Sequence, residues 1–401
     1  MSGLSITGYF PFTRMKILSQ NIHHDDASSA LIRMAPDLRY RPRCHACGSE
    51  AATVHSNGHR RFIRDLNMAN AQVELQVDYR KVWCNTCGGV RVEQMSFADA
   101  GQHVTLRLAR YIHELCKEMT VKAVAEHLDI DPKTVKNIDK LLLQKTFADA
   151  AFDNLQILMI DEIAIHKGHT YMTVIADFLT GRVIWMGHNR DKQTLDAFFK
   201  NLTKEQKRSI KAVAMDMWDP YINRVRHYLP GARIVFDFFH VVQSFARVID
   251  RVRVSEYART KGEERKFIKG SRFLLLTNEQ NLTKDQRNKL EALLDANKTL
   301  STLYILKDQL KMLYYYGDQQ RVETTLNDWC RMADQIRHPA VTAFAKQLRR
   351  FAYGIINHAD YPIGTSALEG INNKIKVIKR KAYGFHDDQY FILKVKQACA
   401  A

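Results

Sequence analysis

The sequence predicts a mixed α/β core, interrupted by a long helical stretch and preceded by two small modules. Three observations carry that expectation. Two Cys-x-x-Cys pairs stand near the N-terminus, apolar β-branched runs alternate with amphipathic segments in the middle, and a long stretch of purely helical period follows.

At 401 residues the chain exceeds the usual size of one domain and has ample material for a large core. Its 60 Lys and Arg against 43 Asp and Glu give a formal charge of +17, which favours polyanions and makes nucleic acid the default partner. A merely basic protein is the bland alternative. No apolar run is long enough to predict a membrane span, and the first residues lack the compact apolar core of a signal peptide. Seven cysteines in a chain of this length are no disulfide framework. The expectation is a soluble cytoplasmic protein with no membrane partner.

Residues 1–40 carry no clear pattern and are expected to form an N-terminal arm. Residues 41–95 hold Cys44, Cys47, Cys84 and Cys87 in two close pairs, each followed by a glycine suited to a knuckle turn. With alternating stretches such as Ala71–Tyr79 between them, they predict a zinc ribbon. His45, His55 and His59 compete as ligands, although each reads better as a surface histidine. Four protein ligands leave no position for a substrate, so the zinc is expected to be structural.

From 100 to 148 the period becomes helical, with Leu106, Ala109, Ile112 and Leu115 or Cys116 along one face. A break at Asp131–Pro132 predicts a helix capped by Asp131 with proline in its first position. The two short helices flanking this break predict a helix-turn-helix. Lys133, Thr134, Lys136 and Asn137 would then face a DNA groove while Val135 and Ile138 pack inward. The alternative is an ordinary helical spacer.

Residues 153–242 alternate strands and helices. Leu155–Asp177 predicts a hairpin of core strands turning at Gly168, Arg182–Met186 a third strand, and Lys211–Trp218 and the ARIVF run two more. Three consecutive strands, then helix, strand, helix, strand is the order of a ribonuclease H-like core. Asp161 is an acid inside an apolar strand, a costly position unless it is paired or holds a cation. Asp216 closes a second core strand. Asp219 is its nearest rival but reads as an N-cap before Pro220. Glu162 should point to the opposite strand face, and Asp177 should set the turn at Thr180–Gly181.

Residues 243–353 predict an all-α insertion. Its Trp329 reads as a core residue more readily than as a platform for an extruded base. In 354–401, Ser366 and Glu369 fit a capping box that starts a helix carrying Lys374, Lys376, Lys379, Arg380 and Lys381. In-line displacement at a phosphodiester needs divalent cations held by hard oxygen ligands, so Asp161, Asp216 and Glu369 together suggest a Mg²⁺ (or Mn²⁺) site.

Taken together, these motifs resemble the bacterial insertion-sequence transposases of the ISL-three family. The resemblance rests on the cysteine pairs, the helix-turn-helix, DEIAIHKGHTYMTVIADFLTGRVI, AMDMWDPY and TSALEGINNKIKVIKRKAYGF. It implies that Asp161, Asp216 and Glu369 form a DDE triad. Lys376, seven residues after the Glu, would be a phosphate-holding base, with Lys374, Lys379 and Arg380 beside it on DNA. Asp237 and His240 match an Asp-x-x-His signature of related transposases, though they could equally be mutually bonded buried partners. The implied function is Mg²⁺-dependent cutting of DNA at terminal inverted repeats, then joining to target DNA. A dimer or larger assembly on DNA, associated with the bacterial nucleoid, goes with it. The rivals are a DNA-binding regulator or inactive copy without catalysis, and a nuclease that cuts without strand transfer.

Overall fold

The computed structural model describes residues 12–22, 28–50, 52–147, 152, 154–166, 170–262, 264–382 and 384–400. The chain divides into two units, residues 1–146 and 147–401.

The first unit begins with a sheet of β1 (Met15–Ile22), β2 (Ser29–Pro36), β3 (Ala52–Arg64), β4 (Gln72–Cys84) and β5 (Gly89–Val92). Its order is β1-β2-β4-β3, with β5 also pairing β4. Residues 15–22 and 29–36 were expected to lie in an unpatterned arm but are strands of this sheet; residues 1–11 lie outside the described residues. The sequence signal was faint because β1 buries no residue fully and β2 only Ile32 and Met34. Those two join Ile63, Val73, Leu75 and Val77 in a core of their own.

Three helices follow, α1 (Leu106–Glu118), α2 (Val121–Leu128) and α3 (Pro132–Phe147). The buried face of α1 runs through Leu108, Ile112 and Cys116 at i, i+4 spacing, with Ala109 and Leu115 packed against the same core; of the expected stripe, Leu106 does not join this core, which takes Leu108 instead. Asp129 ends α2 in the left-handed region, and Asp131 Oδ1 accepts the Thr134 N–H at 3.0 Å, which starts α3 as expected. Buried Asp65, just after β3, accepts from Thr105 Oγ1 at 2.7 Å and from Arg107 Nε at 2.6 Å, tying the sheet to the start of α1.

The second unit is built on β6 (Ile157–His166), β7 (Thr170–Asp177), β8 (Val183–His188), β9 (Ala212–Met215) and β10 (Arg233–Phe236). The order is β10-β9-β6-β7-β8. The β6-β7-β8 meander is antiparallel, and β9 and β10 run parallel to β6. Gly168, read as the hairpin turn, lies outside the described residues. Asp177 sets the next turn, accepting from Leu179 N and Thr180 Oγ1.

Helices α4 (Lys192–Lys200), α5 (Lys204–Ser209) and α6 (Asp219–Tyr228) connect these strands. Trp218, not Asp219, is the N-cap of α6; Asp219 is its first residue and pairs with Arg350 at 2.8 Å. After β10 come α7 (Phe238–Arg259), α8 (Glu264–Ile268), α9 (Arg272–Leu276), α10 (Lys284–Ala296), α11 (Lys298–Met312), α12 (Gln319–Gln335), α13 (Pro339–Arg350) and α14 (Ala352–Ile356). Among the described residues this span holds no strand. Trp329 is buried in it and donates its indole N–H to Leu306 O at 2.8 Å, a core role. The chain then returns to the sheet: Gly354 lies so close to the Phe236 ring that a Cβ would overlap it, and Asn357 Nδ2 donates to Ile234 O at 2.9 Å. Finally come α15 (Thr365–Lys381) and α16 (Asp388–Ala398).

Period-two alternation divides the sheet residues between two cores. Leu158, Ile160, Val213, Met215, Ile234 and Phe236 face the layer containing α4, α6 and α7. Met159, Ile163, Ala214 and Val235 face Leu368, Ile371 and Ile375 of α15 and Phe391 and Val395 of α16. The sheet is therefore covered on both faces, and its polar positions stand out.

Candidate metal and catalytic sites

Strand register explains why three acids share one face of the sheet. Met159 of β6, Ala214 of β9 and Val235 of β10 are side by side in the sheet, all facing α15. Two residues further along each strand direction come Asp161, Asp216 and Asp237, on the same face by alternation. Ligand atoms of Asp161, Asp216 and His240 lie within 4.8 Å of one another. His240, on the first turn of α7, places Nδ1 3.2 Å from Asp216 Oδ2 and Nε2 3.9 Å from Asp237 Oδ2. Asp237 caps α7, accepting the Phe239 N–H at 2.8 Å. Asp237 and His240 are thus neighbours, but the shorter contact of the imidazole is to Asp216.

The electrostatics favour a cation. Burial pushes the Asp216 carboxyl up to about 8, and repulsion from Asp161, Asp237 and Glu162 adds to it. Asp237 is also raised, again by burial first, with the charges of Asp161 and Glu369 contributing. Hard, mutually repelling, half-buried oxygens are the donor set that a divalent cation stabilises, so these residues fit Mg²⁺. Glu162 points the other way, as alternation requires, and is 3.4 Å from Arg190; burial raises its pKa.

Glu369 is an exposed residue of α15 and is not among the groups within 4.8 Å, although its charge reaches Asp237. The helix starts at Thr365 behind Gly364, so the expected cap at Ser366 falls instead inside the first turn and Glu369 just beyond it. The α15 side chain that does touch the acid pair is Asn372, whose Nδ2 donates to Asp161 Oδ2 at 2.5 Å. Sequence reasoning missed it, since an Asn on an amphipathic helix reads as solvated. Its spacing of three from Glu369 was the available signal. Lys374, Lys376 and Arg380 are exposed on the same helix, whereas Lys379 donates to Ala164 O at 3.2 Å and fastens α15 to β6.

In the first unit, Cys44, Cys47, Cys84 and Cys87 converge with their sulfurs within 4.8 Å. Cys44 Sγ is 3.9 Å from Cys87 Sγ, and Cys47 Sγ 3.6 Å from Cys84 Sγ. Tetrahedral zinc with ~2.3 Å bonds to sulfur requires separations of about 3.8 Å, so the four thiols fit it. The knuckles close as expected: Gly48 and Gly88 take φ of 71° and 60° and donate to Cys44 O and Cys84 O. The Cys87 N–H bonded to Cys84 Sγ holds the Cys84 thiol below its ordinary pKa, while the neighbouring thiols and burial push the Cys87 thiol up. His45 binds Val92 O and His59 binds Ser56, and no histidine among the described residues joins the cluster.

On α3, Val135, Ile138 and Asp139 are buried, Lys133 and Asn137 are exposed, and Thr134 and Lys136 are half-buried. Thr134 Oγ1 turns back to Asp131 at 3.4 Å. No helix among the described residues is long and apolar enough to cross a membrane.

Family models and known proteins match most of the chain. A transposase family model matches residues 158–395, and the model of the helix-turn-helix domain of transposase family ISL3 matches residues 93–143. The transposase for insertion sequence element IS1001 of Bordetella parapertussis is 40% identical over 358 residues, 88% of each chain. The transposase for insertion sequence element IS1557 of Mycobacterium tuberculosis is 27% identical over 395 residues, 92% of this chain and 88% of the relative. With a family model over more than half of its length and a relative of this identity over nearly all of it, the chain belongs to the ISL3 family of transposases.

Proposed function

We propose that this chain binds the terminal inverted repeats of an insertion sequence and carries out Mg²⁺-dependent cleavage and strand transfer. The observation that carries the reading is the convergence of Asp161 and Asp216 from adjacent strands, with Asp216 held far above its ordinary pKa until a cation compensates it. The sheet order and the helices between β10 and α15 support a ribonuclease H-like core with an all-α insertion.

In this reading Asp161 and Asp216 hold the cation, and Glu369 completes the triad from α15. The bound cation would stabilise charge on the attacking and leaving oxygens of an in-line displacement. His240 keeps Asp216 oriented through their 3.2 Å contact. Lys374, Lys376 and Arg380 would lie along phosphates, and Lys133, Lys136, Asn137 and the Thr134 backbone would meet a groove or its edge. Zinc on the four cysteines would hold the ribbon in shape. Joining two element ends calls for at least a dimer on DNA.

A second reading, a DNA-binding regulator without catalysis, draws on the position of Glu369 outside the tight cluster. Labelled element-end DNA incubated with Mg²⁺ or EDTA, beside Glu369→Ala, separates the two. Mg²⁺-dependent nicking at the element boundary, lost in the variant, is expected. End binding with no nicking in the wild-type protein would establish the regulator.

A further inference from the structure

Asn372 carries a polar atom that the three acids do not explain. Its Nδ2 donates to Asp161 Oδ2, while Asp161 Oδ1 accepts the Glu162 backbone N–H at 2.7 Å. Both oxygens of Asp161 are therefore oriented by a donor, and each retains acceptor capacity for a further partner. The amide cannot be turned round, because an oxygen in place of Nδ2 would face a carboxylate oxygen, acceptor against acceptor. That orientation leaves Asn372 Oδ1 buried with no hydrogen-bond partner.

A buried acceptor without a donor is rare in folded proteins and calls for a cause. Here the neighbourhood supplies one. The orphaned oxygen is two bonds from the nitrogen that holds Asp161, beside a cluster whose carboxylates already fit a divalent cation. Amide oxygens are hard neutral ligands of the kind found around Mg²⁺ and Ca²⁺, often through water. A neutral ligand also suits this cluster better than another carboxylate, since Asp216 is already repelled by three acids.

We propose that Asn372 belongs to the cation site: its amide nitrogen fixes Asp161, and its amide oxygen coordinates the divalent cation or accepts a hydrogen bond from a water on it. This rests on the reading of Asp161 and Asp216 as the cation-binding pair. It also assigns α15 a contact in the site that does not depend on Glu369.

The test compares wild-type protein with Asn372→Ala and Asn372→Asp, using Mg²⁺ alone as the probe and thermal unfolding without DNA as the readout. Removing a group that orients a ligand lowers metal affinity about 10–100-fold. Asn372→Ala should raise the Mg²⁺ midpoint by that factor. Its cleavage of element-end DNA should fall at low Mg²⁺ and recover partly at high Mg²⁺. Asn372→Asp keeps an oxygen but sets carboxylate against carboxylate. It should melt below wild type in EDTA and show a larger Mg²⁺-induced rise. A wild-type Mg²⁺ midpoint in Asn372→Ala overturns the proposal and leaves the triad standing. If that variant does not fold, an Asn372→Asp rise no larger than wild type overturns it equally. No Mg²⁺ response and no cleavage in the wild-type protein would remove the cation-site reading itself, and this inference with it.

Discussion

The four thiols of the first unit come from two tight turns, each complete within five residues from the first cysteine to the glycine that closes it. The acidic cluster of the second unit is gathered from afar, with Asp161 and its partner Asn372 standing 211 positions apart. The difference lies in what folding must do. A knuckle forms from local backbone geometry, and the metal then fastens two such turns together. The cluster forms only once three strands are in register and α15 has packed on the sheet, and its charges repel one another. On the proposed zinc reading the first cluster is a device for folding, whereas the second gathers charges that repel one another.

Zinc removal probes that contrast most strongly. Chelation or Cys84→Ser should unfold the ribbon, because structural zinc contributes ~10 kcal/mol or more to such small modules. Circular dichroism and zinc release would follow it. If the sheet of β1–β5 survives without metal, the core around Ile32, Met34 and Leu75 is sufficient alone and the contrast is broken.

Asp161→Asn comes next. Losing the central cation ligand should reduce Mg²⁺-dependent cleavage ~10³-fold or more, equivalent to about 4 kcal/mol of transition-state stabilisation. Unlike the cysteine variant, it should leave the fold intact and element-end binding unchanged in a mobility-shift assay. Unfolding of this variant would show that the acid is structural.

A third test reads the electrostatics directly. With its folded pKa at about 8 against 3.8 ordinarily, Asp216 keeps a proton that the unfolded chain releases. The metal-free protein should therefore lose stability as pH rises from about 4 to about 8, by ~1–2 kcal/mol once screening at its exposed edge is allowed for. Asp216→Asn should flatten that slope in denaturant melts, and Mg²⁺ should flatten it in the wild-type protein. Equal slopes in both proteins would mean that the cluster does not raise Asp216.

The smallest effect concerns the cations of α15. Lys376→Ala should weaken DNA binding about uniformly across sequences and reduce the salt dependence of log K by about one. The same measurement on Lys133→Ala, where base contacts are also expected, should in addition relax sequence preference. An unchanged salt slope for Lys376→Ala would move the DNA path away from α15.

Much of this was readable in the chain. The cysteine pairs, the Asp131 cap and the α/β alternation are all signals of short range, and each appears as expected. Asp161 and Asp216 were visible because a carboxylate inside an apolar run has few innocent explanations. The strands at 15–36 were not, because β1 lies at the sheet edge and buries nothing fully, so alternation had no hydrophobic side to mark. Asn372 was invisible for a related reason: a neutral polar residue on an amphipathic helix is ordinary until its partner is known.

Residue order alone sets the local pieces: which turns could gather thiols, where helices start, and which strands carry acids. Period and spacing act within a few residues, and those features need nothing more. It takes the packed fold to put Asp161, Asp216 and Asp237 on one face, to lean His240 on Asp216, to leave Glu369 outside the cluster and to bring Asn372 in. Those relations depend on strand register and on how α15 packs through Leu368, Ile371 and Ile375. Such packing is fixed by the balance of all the contacts around the sheet, not by any stretch of chain alone.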